Sequence, residues 1–121
     1  MEILNKVKLA AKCFDDKKAK NVVALEIGKL TSITDYFVIG SGSSSNQVKA
    51  IADEIEEKMT EAGYTLAHEE GYNGGVWVLL DFSDVVCHVF LDETREFYDI
   101  ERLWSDAPKL TGKELDIEED E

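Results

Sequence analysis

Two strand-like segments, Gly75–Asp81 and Val85–Leu91, lie almost next to each other in the second half of the chain. Both are rich in valine, leucine and aromatic residues, a composition typical of strands whose side chains pack into a sheet. Because Phe82-Ser83 would be enough to reverse the chain, the two segments are predicted to form a tight antiparallel hairpin. The fold is therefore expected to be organised around a sheet.

Helical spacing of apolar residues predicts helices on either side of this hairpin. The first helix covers residues 2–14. The second follows Ser44, which makes a capping-box pattern with Gln47, and it ends at Gly63. A last helix is predicted over Thr94–Trp104. Its packing face is predicted to consist of Phe97, Ile100 and Trp104, which leaves Tyr98 available.

Three more strands complete the predicted order αββαβββα, at Asn21–Ile27, Asp35–Ile39 and Tyr64–Gly71. The helical crossover between strands predicts an α/β fold with a single domain, a mixed five-stranded sheet flanked by helices. The domain is predicted to span residues 1–108, because Pro108 follows the last helix. Residues 109–121 are predicted to form an acidic, disordered tail, since residues 111–121 carry six acidic residues and one lysine.

The charge of the chain restricts the class of partner. It carries 26 acidic and 13 basic residues, a formal net charge of −13. Removing the −5 of residues 111–121 leaves −8, so the predicted domain is acidic in its own right. A negative field repels phosphate groups and anionic membranes and favours a basic partner. The other interpretation is that the charge serves only solubility. Little direct contact with nucleic acid and none with a membrane is expected.

The cysteines and the N-terminus indicate the compartment. Cys13 and Cys87 both lie among apolar residues, and a single pair this far apart is not a disulfide framework, so two buried free thiols are predicted. The first residues lack the apolar core of a signal peptide, and no stretch is long enough to cross a membrane. These observations predict a cytoplasmic location.

The predicted hairpin brings several polar and aromatic side chains to one face, because side chains alternate along a strand. A two-residue turn would set Asp81 opposite Asp84 and Trp77 opposite His88. Two opposed carboxylates are unfavourable unless a cation joins them. A partner's arginine or lysine could supply that cation, and so could an internal arginine.

Four uses of this face remain open. A recognition surface needs an aromatic anchor with flanking charges, which the face offers. The final helix could instead cover Trp77 and His88 as ordinary core. A metal ion is disfavoured, because His88 would lie about 13 Å from the turn along the strand. A catalytic pair made of the two aspartates lacks a nucleophile beside it.

The segment Gly40–Gln47, GSGSSSNQ, is a second candidate site. A Gly/Ser-rich loop before a helix can bind an anion through free backbone N–H groups, which would suit nucleotide binding or nucleotidyl transfer. The segment lacks the lysine of a P-loop and the spacing of a dinucleotide motif. The alternative is that Gly40 and Gly42 permit a tight turn while Ser44 caps the helix. No cofactor is predicted from these patterns.

Several segments taken together resemble the ribosomal silencing factor family, also called Iojap-like. They are TDYFVIGSGSSSNQVKAI at 34–51, EG at 70–71, WVLLDFSDVVCHVF at 77–90 and REFYDIERLW at 95–104. The resemblance implies a nucleotidyltransferase-like fold without the catalytic metal site. In those enzymes a Gly-Ser pair precedes two spaced metal-binding acids, whereas here Gly40-Ser41 is followed by Asp53-Glu54, adjacent and on a helix.

For function, the resemblance implies a translational repressor with no enzymatic activity. Members of the family bind a basic protein of the large ribosomal subunit, number fourteen in its series, and block joining of the small subunit when nutrients are scarce. The matching motifs and the predicted hairpin face together assign partner binding to Glu70, Trp77, Asp81, Asp84, His88 and Tyr98. A homodimer of the free protein is left open.

Overall fold

A computed structural model of the 121-residue chain describes residues 2–117. Within that range ten helices and strands follow one another: α1 (Glu2–Asp16), β1 (Lys20–Leu25), β2 (Tyr36–Gly42), α2 (Ser45–Glu61), β3 (His68–Glu70), β4 (Trp77–Asp81), β5 (Val85–Leu91), α3 (Asp92–Tyr98), α4 (Ile100–Leu103) and β6 (Lys109–Thr111). Two short 3-10 turns are added at Ile27–Lys29 and Gly112–Leu115. None of the helices described is both long and apolar enough to span a membrane.

The strands form one mixed sheet in the order β3-β4-β5-β2-β1-β6. β2 and β5 run parallel, and the other neighbouring pairs are antiparallel. The predicted α/β class, single domain and mixed sheet flanked by helices are confirmed. Residues 2–117 contain six strands rather than the predicted five, and β3 is confined to His68–Glu70 instead of Tyr64–Gly71.

One face of the sheet packs against α1 and α2. Their apolar residues recur at helical spacing, so each helix turns one stripe into the main core. Both cysteines lie in this core as free thiols, as predicted. Burial raises the pKa of both Cys13 and Cys87, so neither thiol readily forms the reactive thiolate.

The opposite face of the sheet is covered by the short helices α3 and α4, together with Ile27 of the first 3-10 turn and Ala107. We call it the aromatic face, and it is lined by Phe37, Trp77, His88 and Phe90. Ile100 and Trp104 pack onto it from the helical side. Because two short helices cannot cover a whole sheet, this face retains accessible side chains around its margin.

The last helix is broken at Asp99, whereas one continuous helix had been predicted over Thr94–Trp104. Asp99 adopts a left-handed backbone conformation, with φ 47° and ψ 51°, and thereby separates α3 from α4. Aspartate is among the few residues other than glycine that accept this conformation. The break changes the helical phase. Ile100 and Trp104 pack as predicted, but the prediction was wrong for Phe97, which is 80% exposed.

The segment predicted to be a disordered tail is largely folded. Lys109–Thr111 form β6 and pair with Val23–Leu25 of β1. Leu115 is fully buried in the main core. The prediction of disorder therefore does not hold for residues 109–117, because a few apolar side chains allow an otherwise acidic segment to pack. Residues 118–121 of the predicted tail lie outside the described residues.

Candidate protein-interaction surface

The connection between β4 and β5 is longer than the predicted two-residue turn. Trp77 pairs with Phe90 and Asp81 pairs with Val86, which is a register two residues away from the predicted one. The cause is Phe82, whose side chain is buried in the main core and cannot occupy an exposed turn. A shift of two residues preserves the faces, so Trp77, Asp81 and His88 still share the aromatic face.

The predicted pair of opposed carboxylates is wrong. Asp84 turns toward α1, where its Oδ1 lies 2.5 Å from the Nζ of Lys6. The same ammonium group donates to the carbonyl oxygen of Phe82 at 2.7 Å. Asp81 remains on the other side and accepts the backbone N–H of Ser83 at 2.8 Å. Asp84 thus has an internal cation, and the geometric argument for its contact with a partner is lost.

Trp77 and His88 form the polar centre of the aromatic face. The indole Nε1–H donates to His88 Nδ1 at 3.1 Å, and the Trp77 ring also contacts Phe90 with centroids 4.8 Å apart. Since Nδ1 accepts this bond, the proton of the neutral imidazole is on Nε2. Nε2 has no hydrogen-bond partner among the described residues. Burial lowers the pKa of His88 from 6.5 to about 4, which keeps the ring neutral.

The buried His88 should make the stability of the protein depend on pH. Below pH 6.5 the unfolded chain takes up a proton on this residue that the folded protein does not accept until about pH 4. The free energy of unfolding is therefore unaffected by His88 above pH 6.5. It decreases as the pH falls below that value, by roughly 2 kcal/mol between pH 7 and pH 5. Urea unfolding at several pH values measures it.

A His88→Gln variant is the matched control for this pH dependence. The glutamine amide oxygen can still accept the Trp77 N–H, but the side chain does not titrate. The variant should therefore lose most of the slope between pH 7 and pH 5. An equal slope in the variant and the wild type would show that His88 is not the group responsible.

Three large side chains stand out from α3 and α4 beside the aromatic face. Phe97 is 80% exposed, Leu103 is 76% exposed and Tyr98 is 53% exposed. The Tyr98 ring lies 4.9 Å from Trp77 and 5.0 Å from Phe97, measured between centroids. We call Trp77, Phe97, Tyr98 and Leu103 the docking patch. The rings of Trp77, Tyr98 and Phe97 contact one another in series and Leu103 belongs to the next helix, and exposed apolar side chains of this kind are typical of a protein-interaction site.

Carboxylates border the docking patch. On the helical side, exposed Glu93, Glu96, Asp99 and Asp106 lie within a few positions of Phe97, Tyr98 or Leu103 along the chain. At the edge of the sheet Glu70 pairs with Leu79, which in turn pairs with His88, so Glu70 lies on the same face. The predicted site residues Glu70, Trp77, Asp81, His88 and Tyr98 are thus brought to one side of the sheet. An apolar centre with an acidic border suits a partner with the opposite charge.

The Glu-Gly pair at residues 70–71 contains a glycine that the backbone geometry requires. Gly71 has a φ of +85°, and a Cβ atom there would lie only 2.0 Å from the carbonyl oxygen of Trp77. Only glycine fits this approach, so the end of β3 can lie against the start of β4. The motif therefore has a structural role that places Glu70 beside the docking patch.

The Gly40–Gln47 segment does not form a phosphate cradle. Gly40 lies within β2, and a Cβ atom at this position would meet the Phe14 ring at 2.5 Å. Ser44 Oγ accepts the Gln47 N–H at 3.1 Å, as predicted for a helix cap. Gln47 Oε1 accepts the N–H of Ser43 at 2.8 Å. Close packing and helix capping thus account for the glycines and serines.

Metal ligation has no geometric basis in the part of the chain that the structure describes. Over residues 2–117, no three His, Cys, Asp or Glu side chains are grouped so as to hold a metal ion. Asp53 belongs to α2 and accepts a hydrogen bond from the Tyr72 hydroxyl at 3.2 Å. His68 is exposed on β3 and contacts Glu70 at 2.6 Å.

Comparison with known proteins agrees with this picture of a binding module. A family model described as "Ribosomal silencing factor during starvation" matches residues 1–121. The ribosomal silencing factor of Bacillus subtilis (strain 168) is 43% identical over 102 residues, which are 84% of this chain and 86% of that protein. A protein named for mitochondrial assembly of the ribosomal large subunit, from Mus musculus, is 32% identical over 94 residues, covering 74% of this chain and 40% of that protein.

The fold is shared as well. A crystal structure of a Chromobacterium violaceum protein superposes on this chain with a TM-score of 0.85 at 43% sequence identity. The superposition covers 87% of this chain and 88% of that one. The arrangement of the sheet and helices is therefore common to this chain and its relatives.

Proposed function

This chain belongs to the family of ribosomal silencing factors, and on that basis we propose that it represses translation by binding the large ribosomal subunit and excluding the small one. The proposed contact is a basic protein of the large subunit, number fourteen in its series, at the subunit interface. The relatives are named as silencing factors, so the chain is a regulatory protein rather than an enzyme. It would act in the cytoplasm when nutrients are limiting.

The docking patch is the observation that carries this proposal. Phe97, Tyr98 and Leu103 are large apolar side chains that remain 80%, 53% and 76% exposed. Leaving such side chains in water is unfavourable by about 25 cal/mol for each Å². A partner that covers them recovers this free energy on binding. The geometry therefore supports a stable protein contact at this patch.

Charge favours a basic partner for the same patch. The net charge of the chain is −13, and the carboxylates of Glu93, Glu96 and Asp99 lie exposed beside the apolar centre. Ribosomal RNA would be repelled by this field, whereas a lysine- and arginine-rich protein surface would be attracted. The proposed action is steric: a protein bound at the subunit interface occupies the space that the small subunit needs, so no cofactor or chemical step is required.

Cosedimentation with separated ribosomal subunits tests the proposal. The protein should pellet with large subunits and stay in the supernatant with small subunits. Because part of the attraction is electrostatic and exposed, raising the salt concentration should weaken the binding. A mixture of both subunits should form fewer complete ribosomes when the protein is present, as measured by light scattering.

The control is the isolated partner. Purified large-subunit protein fourteen should bind in a titration, and protein-free ribosomal RNA should not. Equal pelleting with both subunits, or binding to naked RNA, would contradict the proposal. Binding to large subunits without any effect on subunit joining would contradict its steric part alone.

A further inference from the structure

The guanidinium group of Arg95, in α3, forms hydrogen bonds with three other elements, α4, β1 and β2. Arg95 Nε donates to Glu101 Oε2 of α4 at 2.8 Å, and Nη2 donates to the carbonyl oxygen of Asn21 in β1 at 2.8 Å. Nη1 reaches the carbonyl oxygen of Lys20 at 3.1 Å and Ser41 Oγ of β2 at 3.3 Å. The Arg95 side chain is only 12% exposed. All four bonds are charge-assisted, and those to Glu101 and Ser41 are also partly buried, so they are stronger than most surface contacts.

The strand that receives Arg95 has an irregular backbone at this point. The pairing of β1 with β2 shifts register between Lys20 and Val23, and Asn21 has a φ of +51°. The carbonyl groups of Lys20 and Asn21 both accept hydrogen bonds from Arg95. Lys20 also contributes its side chain, because its Nζ lies 2.8 Å from Asp92 Oδ2 at the start of α3. The irregularity in β1 therefore forms the receiving site for α3.

The two helices are short, and besides the packing of Tyr98, Ile100 and Trp104 on the sheet they depend on polar contacts for their orientation. α3 has seven residues and α4 has four, far fewer than an isolated helix requires in water. Neither helix contains a fully buried residue, and neither has a side-chain bond at its N-terminal cap. Between them, Asp99 must be kept in a left-handed conformation that is unfavourable for residues other than glycine. The ion pair from Arg95 to Glu101 spans this break directly.

We propose that Arg95 is the positioning residue of the docking patch. Its ion pair with Glu101 spans the break, and its hydrogen bonds to the carbonyl groups of Lys20 and Asn21 attach α3 to β1. Together these bonds fix the orientation of α3 relative to α4. Phe97, Tyr98 and Leu103 are thereby brought into one surface before the partner arrives, which reduces the entropy lost on binding. The identity of the partner in this inference rests on the proposed function. The ordering of α3 and α4 by Arg95 is independent of that function.

The test compares two arginine variants. Arg95→Lys keeps the positive charge and loses the planar group that reaches four acceptors. Arg102→Lys is the matched control, because Arg102 is exposed and its guanidinium makes no hydrogen bond or ion pair within residues 2–117. Amide hydrogen exchange and the affinity for large subunits are measured on the wild type and both variants, well below their melting temperatures.

Arg95→Lys should accelerate exchange in residues 97–104 at least tenfold and leave α2 unchanged. It should also weaken binding at least tenfold, whereas Arg102→Lys should change neither quantity. Glu101→Gln serves as a milder second variant should Arg95→Lys fold poorly, since it keeps the shape of the side chain and removes the ion pair. It should shift both quantities in the same direction by a smaller factor.

Two results would overturn the inference: unchanged exchange in residues 97–104 of the Arg95→Lys variant, or faster exchange with wild-type affinity. A merely structural role would lower the melting temperature without changing the affinity of the folded protein. If the wild type itself does not bind large subunits, the proposed function fails. The exchange measurement then still decides whether Arg95 orders α3 and α4.

Discussion

Replacing Trp77 with alanine should lower the free energy of unfolding by about 3 kcal/mol. The change removes ring contacts with Phe90 and Tyr98, at centroid distances of 4.8 and 4.9 Å. It also removes the donor to His88 Nδ1, which leaves a buried imidazole with neither nitrogen satisfied by the described residues. Urea unfolding at neutral pH measures the loss. Tyr98 loses the ring that supports it, so binding to large subunits should weaken as well.

Trp77→Phe separates the two contributions. The phenyl ring keeps much of the contact with Phe90 and Tyr98 but cannot donate to His88, so a loss of about 1 kcal/mol is expected. The sequence left open whether Trp77 is core or an anchor for a partner, and in the structure its ring contacts Phe90 and Tyr98 and is only partly buried. A melting curve for Trp77→Ala that matches the wild type would mean that the Trp77 ring does not stabilise the fold and can contribute only to partner binding.

Removing Phe97 and Leu103 together should weaken binding to large subunits at least a hundredfold while stability stays within about 0.5 kcal/mol of the wild type. The reason is their exposure: 80% and 76% of these side chains face solvent in the free protein. Little packing is therefore lost in a Phe97→Ala, Leu103→Ala double variant, whereas the apolar area offered to a partner falls sharply. Equilibrium binding to purified large subunits, together with thermal unfolding, measures both effects.

The matched control for the double variant is Ile33→Ala. Ile33 is 72% exposed and apolar, but it belongs to the loop before β2 and not to the docking patch. Its removal should leave affinity unchanged. An equal loss from Ile33→Ala would indicate a nonspecific apolar contact, and full affinity in the double variant would show that the partner binds elsewhere.

Features that depend on neighbours in the sequence could be predicted. The α2 helix follows from its apolar period together with the cap at Ser44, which uses a residue only three positions away. The faces of β4 and β5 also follow from alternation, so Trp77 and His88 were correctly placed together. Local rules suffice when the interacting groups are close along the chain.

Features that depend on distant residues could not be predicted. The turn at Phe82 differs from the predicted one because the core beneath it accepts an aromatic ring, and Asp84 finds its cation in α1, 78 residues earlier. β6 has three residues and becomes a strand only because β1 offers it an edge. Phe97 was missed as an exposed residue because the helical period does not reveal the break at Asp99. In each case tertiary packing overrides the local pattern.

The order of the strands also bears on how the protein avoids self-assembly into fibres. Both edges of the sheet are strands of three residues: β3 is His-Glu-Glu, and β6 is preceded by Pro108. The longer apolar strands β1, β2 and β5 are all internal. A long apolar edge would be a template on which further copies could add strands, and short, charged or proline-flanked edges are not. The chain can thus keep Phe97 and Leu103 in water without also offering a backbone for polymerisation.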